Sequence, residues 1–202
     1  MESLRERKKA ATRQAISDVA TRLFEEHGFE QVTVAQIAEA ANVSVKTIFN
    51  YFGTKEELFF DADDRLLAGY VAALRDRGPG VSPTQVMRAS LLAGPLPFPG
   101  CRWSDLNGDL YDGIRRWVAC ERASPTLSAR RLVIAQSWVD PLGEAAGSAA
   151  WAAMCVAAMM LRQRVLADAL LERRTPRTVE RRVKAVVVEA FDALERGFAN
   201  GS

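Results

Sequence analysis

Two helix-start signals on either side of a tight reversal constrain the fold of this chain more than any other feature. Thr33 stands three residues before Gln36, the spacing of a capping box, in which both side chains satisfy free backbone groups at a helix start. Ser44 is a second helix cap, and Asn42 before it tolerates the left-handed backbone of a sharp turn. The spacing predicts a helix ending near Ala41, a tight turn and a second helix to Phe52.

Helical periodicity continues on both sides of this turn. Apolar residues recur three and four positions apart over most of the chain, as in helices with one buried face. No segment alternates apolar and polar residues long enough to predict a strand, so the predicted fold class is all-α. The predicted helices span residues 5–27, 34–41, 45–52, 54–74, 106–122, 125–139, 149–173 and 176–198.

Proline and glycine mark the predicted helix boundaries. Ser82 before Pro83 predicts the cap and first turn of a new helix. Residues 94–100 are Gly-Pro-Leu-Pro-Phe-Pro-Gly, which predicts a loop continuing to about Asp105, because proline removes a donor and restricts its predecessor. Pro141 and Gly143 predict the end of the helix that starts at Pro125.

We expect a three-helix head on a larger helical body. Residues 1–53 form the predicted helix-turn-helix domain, with the motif at about 33–52, and residues 54–202 form a predicted effector-binding and dimerisation domain. The predicted core of the head consists of Val19, Leu23, Ile37, Ile48 and Phe52. Residues 106–139 have the predicted buried positions Ile114, Trp117, Val118, Leu132, Ile134, Ala135 and Trp138.

The second helix of such a pair enters the major groove of DNA, where its exposed residues contact base edges. Lys46 suits guanine acceptors, Asn50 an adenine edge and Val45 a thymine methyl group. Ser44, Thr47 and Tyr51 suit phosphate oxygens. An alternative remains open for part of this set, because Tyr51 also suits simple packing.

Thr33 and Lys55 stand at predicted helix starts, where free amides and the helix dipole favour phosphate. They are the candidate contacts to the DNA backbone. Thr33 would equally serve as a cap in any helical protein. A basic run at the N-terminus is either a DNA-binding arm or a solvated helix start; it contains Arg5, Arg7, Lys8, Lys9 and Arg13.

The run from Thr33 to Leu58, TVAQIAEAANVSVKTIFNYFGTKEEL, resembles the helix-turn-helix of the tetracycline-repressor-like (TetR) family. The resemblance covers roughly residues 5–66. It implies a dimeric regulator, most often a repressor, that binds a pseudo-palindromic operator and is released by a small ligand. The implied DNA contacts are Thr33, Ser44, Lys46, Thr47, Asn50, Tyr51 and Lys55. Asn42 replaces the commoner glycine of the turn, and Phe49 replaces the usual tyrosine, which removes a phosphate-binding hydroxyl.

The last two predicted helices are long, apolar and adjacent, as in a four-helix interface between two subunits. We expect a homodimer through residues 149–173 and 176–198, although these helices would also suit packing within one monomer. Aromatic, thioether and guanidinium side chains of the body suit an effector pocket, or simply a core. The candidates are Trp103, Tyr111, Trp117, Trp138, Trp151, Met159 and Arg162.

Catalysis is not expected, because the sole histidine, His27, lies at a helix end and no nucleophile elbow, phosphate loop or metal-binding pattern occurs. Three separated cysteines predict reduced thiols, and neither a metal nor another cofactor is expected. No apolar run approaches the roughly 20 residues of a membrane span, so we expect a cytoplasmic protein. A helical interaction module that has lost DNA binding is a further alternative, and the sequence does not separate a repressor from an activator.

Overall fold

The computed structural model describes residues 3–96 and 101–198 of the 202-residue chain. Within these ranges the regular structure is entirely helical, which confirms the predicted fold class. None of the described helices is both long and apolar enough to cross a membrane. The helices are α1 Leu4–His27, α2 Val34–Ala40, α3 Val45–Tyr51, α4 Lys55–Phe59, α5 Asp63–Arg75, α6 Pro83–Leu92, α7 Gly108–Ala123, α8 Pro125–Ser137, α9 Val139–Ala146, α10 Ala149–Leu171 and α11 Pro176–Phe198, with a short 3-10 helix at Trp103–Asp105.

Contacts group the chain into two compact units. The first unit contains Met1–Asp63 together with Ala119–Arg130, and the second contains Asp64–Val118 together with Arg131–Ser202. The sequence predicts a boundary between residues 53 and 54, which separates a DNA-binding domain from an effector-binding domain. This division by function stays a prediction.

The predicted turn between α2 and α3 is confirmed in detail. The Thr33 hydroxyl accepts from the Gln36 amide, and the Gln36 side chain accepts from the Thr33 amide, which completes the capping box. Asn42 has a φ of 52°, in the left-handed region that asparagine tolerates. Ser44 caps α3 by accepting from the Thr47 amide at 3.0 Å.

The apolar face of α1 packs in the first unit, but its most buried residues are not the two predicted for the core. Ile16, Ala20 and Phe24 are fully buried, whereas Val19 and Leu23 are half-buried. Both sets fit helical spacing, and the set that contains Phe24 has aromatic partners. Phe24 packs against the rings of Phe29 and Phe59. The other predicted core residues of this unit, Ile37, Ile48 and Phe52, are buried.

The single helix predicted from Thr54 to Leu74 is wrong, because the chain turns at residues 60–62 between α4 and α5. Four consecutive residues, 58–61, are buried, and one straight helix could not direct all four toward one side. At the start of α4, only half of a capping box is present. The Thr54 hydroxyl accepts from the Glu57 amide, but the Glu57 carboxylate accepts from the Gly53 amide instead of from Thr54.

In the second unit, α10 packs against α9 and α11, and α11 packs against α6. The predicted apolar face of α11 is confirmed by five buried residues on its inner side. They are Val179, Val183, Val187, Phe191 and Leu194. The cap at Ser82 with Pro83 in the first helical turn is likewise confirmed.

The prediction that Pro141 and Gly143 end a helix is wrong. Both residues lie inside α9. Proline is tolerated in the first turn of a helix, where its missing N–H has no intrahelical partner. Gly143 is needed for close packing, since a Cβ there would lie 3.2 Å from the Cα of Ala149. The break falls instead at Trp138, between α8 and α9.

Leu132 was predicted to be buried but is 60% exposed, and its neighbour Val133 is 56% exposed. The apolar positions of α8 that do pack are Leu127, Ala135 and, more weakly, Ile134. Leu132 lies off this face. Periodicity alone could not separate the two faces, because apolar residues occur on both.

The predicted loop at 94–100 lies partly outside the described residues, since residues 97–100 are not described. Residues 94–96 are non-helical, as expected. The predicted extension to Asp105 is wrong for its last part, because Trp103–Asp105 forms a 3-10 turn in which Asp105 accepts from the Arg102 amide.

Candidate nucleic-acid interface

The exposed side of α3 holds most of the residues predicted to contact DNA. Its inner side buries Ile48 against the rest of the first unit. Thr47 and Tyr51 are half-buried at the edges of this outer side. The exposed residues are Ser44, Val45, Lys46, Phe49 and Asn50.

Lys46 and Asn50 are the polar groups that this helix presents to solvent. They stand four positions apart and therefore lie one above the other on the helix surface. Within the described ranges neither side chain makes a hydrogen bond or an ion pair to the protein. Their donors and acceptors are available to an external partner.

Val45 and Phe49 form an apolar ridge on the same helix. Val45 is 40% exposed and Phe49 is 50% exposed. Sequence reasoning named Val45 as a base contact but treated Phe49 only as a departure from the family pattern. The spacing of four residues was the signal that would have placed both on one face.

The hydroxyl groups of Ser44, Thr47 and Thr33 already take part in helix capping. The Ser44 and Thr47 hydroxyl oxygens lie 2.8 Å apart, and the Thr33 hydroxyl lies 2.9 Å from the Gln36 side chain. All three residues keep exposed or half-exposed surface. A hydroxyl has one donor and two acceptor lone pairs, so capping does not exclude a further contact to phosphate.

Lys55 points toward the protein. Its ammonium group donates to the carbonyl oxygens of Phe29 at 2.9 Å and Val32 at 3.0 Å, and it lies 4.0 Å from the centroid of the Phe29 ring. Lysine has three N–H donors, and two of them are used here. The side chain therefore fixes the segment that leads into Thr33.

Arg13, which the sequence placed in a basic run, also turns inward. Its guanidinium donates to the carbonyl oxygen of Tyr51 at 2.6 Å and forms an ion pair with Asp61. The four more N-terminal basic residues, Arg5, Arg7, Lys8 and Lys9, are exposed. Helix α1 begins there with a capping box at Ser3, whose bonds to Glu6 lower the pKa of that carboxyl.

The seven candidate effector residues all lie in the second unit. Trp103 donates to the Leu92 carbonyl and Tyr111 to the Arg174 carbonyl. The remaining aromatic candidates pack in the second unit: Trp117 faces Arg131, and Trp138 meets the Tyr70 ring edge-on. Met159 is half-buried against the core.

Arg162 is almost fully buried and is held by backbone carbonyls. It donates from Nε to Leu91 at 3.1 Å and from one Nη to Gly94 at 2.7 Å and Pro95 at 3.0 Å. Burial lowers the pKa of its guanidinium. Among the described residues this arginine acts as a clamp on the end of α6 and on the segment that follows it.

Trp151, another of the seven candidates, lines an open groove of about 800 Å³ in the second unit. Its indole donates to the Thr84 hydroxyl at 2.9 Å. Arg75, Arg77 and Glu195 also line the groove. Glu195 is already occupied, because it accepts from Ser82.

The cysteines show no metal or disulfide chemistry within the described ranges. All three are free thiols, and these ranges contain no cluster of histidine, cysteine or carboxylate side chains that could hold a metal ion. Cys120 and Cys155 are buried, and burial raises the pKa of both, that of Cys155 to about 12. Cys101 is half-buried.

The capped helices α2 and α3, joined by the turn at Asn42, form a helix-turn-helix whose second helix has an exposed outer side. Residues 16–62 match the family described as bacterial regulatory proteins, tetR family. These residues of the chain are therefore similar to the N-terminal region of TetR-family regulators.

Curated relatives align with less than half of this chain. The HTH-type transcriptional regulator TcmR of Streptomyces glaucescens is 38% identical over 90 residues, which are 45% of this chain and 40% of TcmR. The HTH-type transcriptional repressor AcnR of Corynebacterium efficiens is 48% identical over 48 residues, 24% of this chain and 26% of AcnR. The alignments thus span less than half the length of either relative.

Solved structures resemble the whole chain in fold. A Rhodococcus sp. protein described as a TetR-family transcriptional regulator has a TM-score of 0.56 at 17% identity, covering 91% of this chain and 98% of that one. SmeT, the repressor of the Stenotrophomonas maltophilia multidrug efflux pump SmeDEF, has a TM-score of 0.53 at 18% identity and coverages of 92% and 89%. At this identity the likeness shows the fold alone.

Proposed function

We propose that this protein is a transcriptional regulator that binds a pseudo-palindromic DNA operator as a homodimer and responds to a small molecule. The observation that carries the proposal is the outer side of α3, where Lys46 and Asn50 have no protein partner in the described ranges. Such a helix fits the major groove. The proposal places the protein in the cytoplasm with the bacterial DNA and gives it no catalytic step.

The base contacts of this proposal come from the middle of α3. Lys46 donates to guanine, Asn50 pairs with an adenine edge, and Val45 contacts a thymine methyl group. Ser44, Thr47, Tyr51 and Thr33 bind phosphate oxygens. Because two donors of Lys55 are used within the protein, a phosphate contact from this residue would use the third.

The apolar surface of α10 supports dimerisation. Every residue from 149 to 161 of this helix is apolar, yet only one side packs in the single chain. Ala153, Met154 and Ala157 are exposed on the other side. A helix that is apolar all round is normally covered all round. We propose that a second copy covers this side, with α11 beside it.

Sedimentation equilibrium tests the dimer. We expect a dimer at micromolar concentration for the wild-type chain, and a monomer for Ala157→Glu. Ala68→Glu, an exposed change in α5 outside the proposed interface, is the matched control for the added negative charge. A wild-type monomer, or dimers unaffected by Ala157→Glu, would contradict the proposed interface.

Response to a small molecule is proposed from the fold, since one protein of similar fold, SmeT, forms a complex with triclosan. The seven effector candidates remain part of this proposal. All four tryptophans lie between residues 103 and 151, in the second unit, so tryptophan fluorescence reports on this unit alone. Triclosan and other apolar aromatic compounds are the first probes to titrate. A ligand that shifts the fluorescence must also change operator affinity, since only differential affinity for two states couples binding to release.

Selection of bound duplexes from a random DNA pool tests DNA recognition itself. We expect an inverted repeat with half-sites about 34–36 Å apart, which is the spacing that two symmetric heads require. Enrichment of no sequence would contradict the proposal.

A further inference from the structure

The side chain of Arg13 connects three parts of the first unit. Its guanidinium donates to the Tyr51 carbonyl at 2.6 Å and pairs with the Asp61 carboxylate. It also lies 4.3 Å from the centroid of the Phe52 ring. The Asp61 side chain is only 7% exposed, whereas that of Arg13 is 39% exposed. Arg13 thus reaches from α1 to the end of α3 and to the turn between α4 and α5.

The contact with Tyr51 matters because α3 cannot fix its own position. It has seven residues, about two turns, which is too short for a helix to be stable without tertiary contacts. Ile48 and Phe52 anchor it by burial. Tyr51 is its last residue, and carbonyls at this end of a helix have no intrahelical donor. Arg13 supplies a charged donor to one of them.

The contact with Asp61 fixes Arg13 in turn. Removing Arg13 would leave the buried Asp61 carboxylate without its cationic partner, which is unfavourable. The carboxylate therefore holds the guanidinium in the orientation that also reaches Tyr51. This arrangement makes the α4–α5 turn part of the support of α3.

We propose that Arg13 is a positioning residue for DNA recognition, holding the end of α3 against the α4–α5 turn, and that it does not contact phosphate. The inference rests on the proposed function of α3. It separates Arg13 from the exposed basic residues at the start of α1, which remain available to DNA.

Amide hydrogen exchange of the free protein, without DNA, tests whether Arg13 holds the end of α3 in place. In Arg13→Gln and Asp61→Asn we expect the amides of residues 48–52 to exchange about tenfold faster than in the wild type, the effect of one charged hydrogen bond. Amides in α10 serve as the internal control and should be unchanged. Arg22→Gln, an exposed change on the same helix, controls for the lost charge. Unchanged exchange in α3 would overturn the proposal.

Binding to the operator selected by the wild type tests the functional half. We expect Arg13→Gln to lower operator affinity about tenfold while the salt dependence of binding stays the same, because no phosphate contact is lost. Arg13→Lys should resemble Arg13→Gln, since lysine keeps the charge but not the two-armed geometry. A salt slope reduced by about one would overturn the proposal by showing a direct phosphate contact. Failure of the wild type to select any DNA would instead reject the proposed function, and the exchange result would still decide whether Arg13 positions α3.

Discussion

The ammonium group of Lys55 lies 2.9 Å from the carbonyl oxygen of Phe29 and 4.0 Å from the centroid of the same residue's ring. A second bond reaches the Val32 carbonyl, directly before Thr33. Lys55 thus joins the start of α4 to the segment between α1 and α2. The sequence predicts a phosphate contact at this position, and the geometry adds a structural role.

The structural role of Lys55 predicts a loss of stability when it is removed. Lys55→Met should lower the free energy of unfolding by about 1–3 kcal/mol, because two buried carbonyls lose a charged donor. Lys46→Met, which removes the same charge from an exposed site, should change it by less than about 0.5 kcal/mol. Urea unfolding of both variants measures the difference. Equal stability of the two variants would refute the structural role.

The buried contacts of Arg162 predict a larger loss of stability when this residue is replaced. Arg162→Met should lower the free energy of unfolding by about 3 kcal/mol, because three carbonyls at residues 91, 94 and 95 lose their donor within a buried environment. Arg65→Met is the matched control, because Arg65 is exposed in α5 of the same unit. If thermal unfolding of the two variants coincides, the Arg162 clamp is not important for stability.

Periodicity predicts that Leu132 is buried, but it is exposed. We therefore expect a polar substitution there to be tolerated. Leu132→Gln should change the free energy of unfolding by no more than about 0.5 kcal/mol. Leu127→Ala in the same helix should cost about 2–5 kcal/mol, because Leu127 is fully buried. Denaturation at several protein concentrations compares them. A large effect at Leu132 would mean that this face is covered in the assembled protein.

The cysteines should differ in their reaction with a thiol reagent. The thiolate is the reactive form, and a raised pKa leaves the thiol protonated at pH 8. Burial raises the pKa of Cys155 to about 12 and also raises that of Cys120, so neither should react before unfolding. Cys101 is half-buried and should react first. Peptide mapping after brief alkylation identifies the modified residue, and rapid modification of Cys155 would contradict its burial.

Much of the fold can be predicted from signals between residues close together in the sequence. The caps at Thr33 and Ser44 and the left-handed Asn42 depend on contacts within a few residues, so side-chain type predicts them directly. The ends of α10 and α11 follow from similar signals. The exposed α3 residues follow from the positions of Ile48 and Phe52.

The predictions fail where contacts between residues far apart in the sequence determine the structure. The turn between α4 and α5 depends on burying 58–61 together, and the position of Pro141 depends on where α9 starts. The inward directions of Lys55 and Arg13 depend on carbonyls 26 and 38 residues away in sequence. No local pattern distinguishes such a lysine or arginine from one that faces solvent.

Base readout by Lys46 tests the central claim most directly. The selected operator and single-base variants of it are titrated with wild-type protein and with Lys46→Ala at one fixed salt concentration, because affinity depends strongly on salt. We predict that Lys46→Ala loses about 1–3 kcal/mol of discrimination at one base pair, placed symmetrically in both half-sites, and keeps its preferences elsewhere. Equal weakening on every sequence, or no weakening at all, would contradict the claim that α3 reads DNA through this residue.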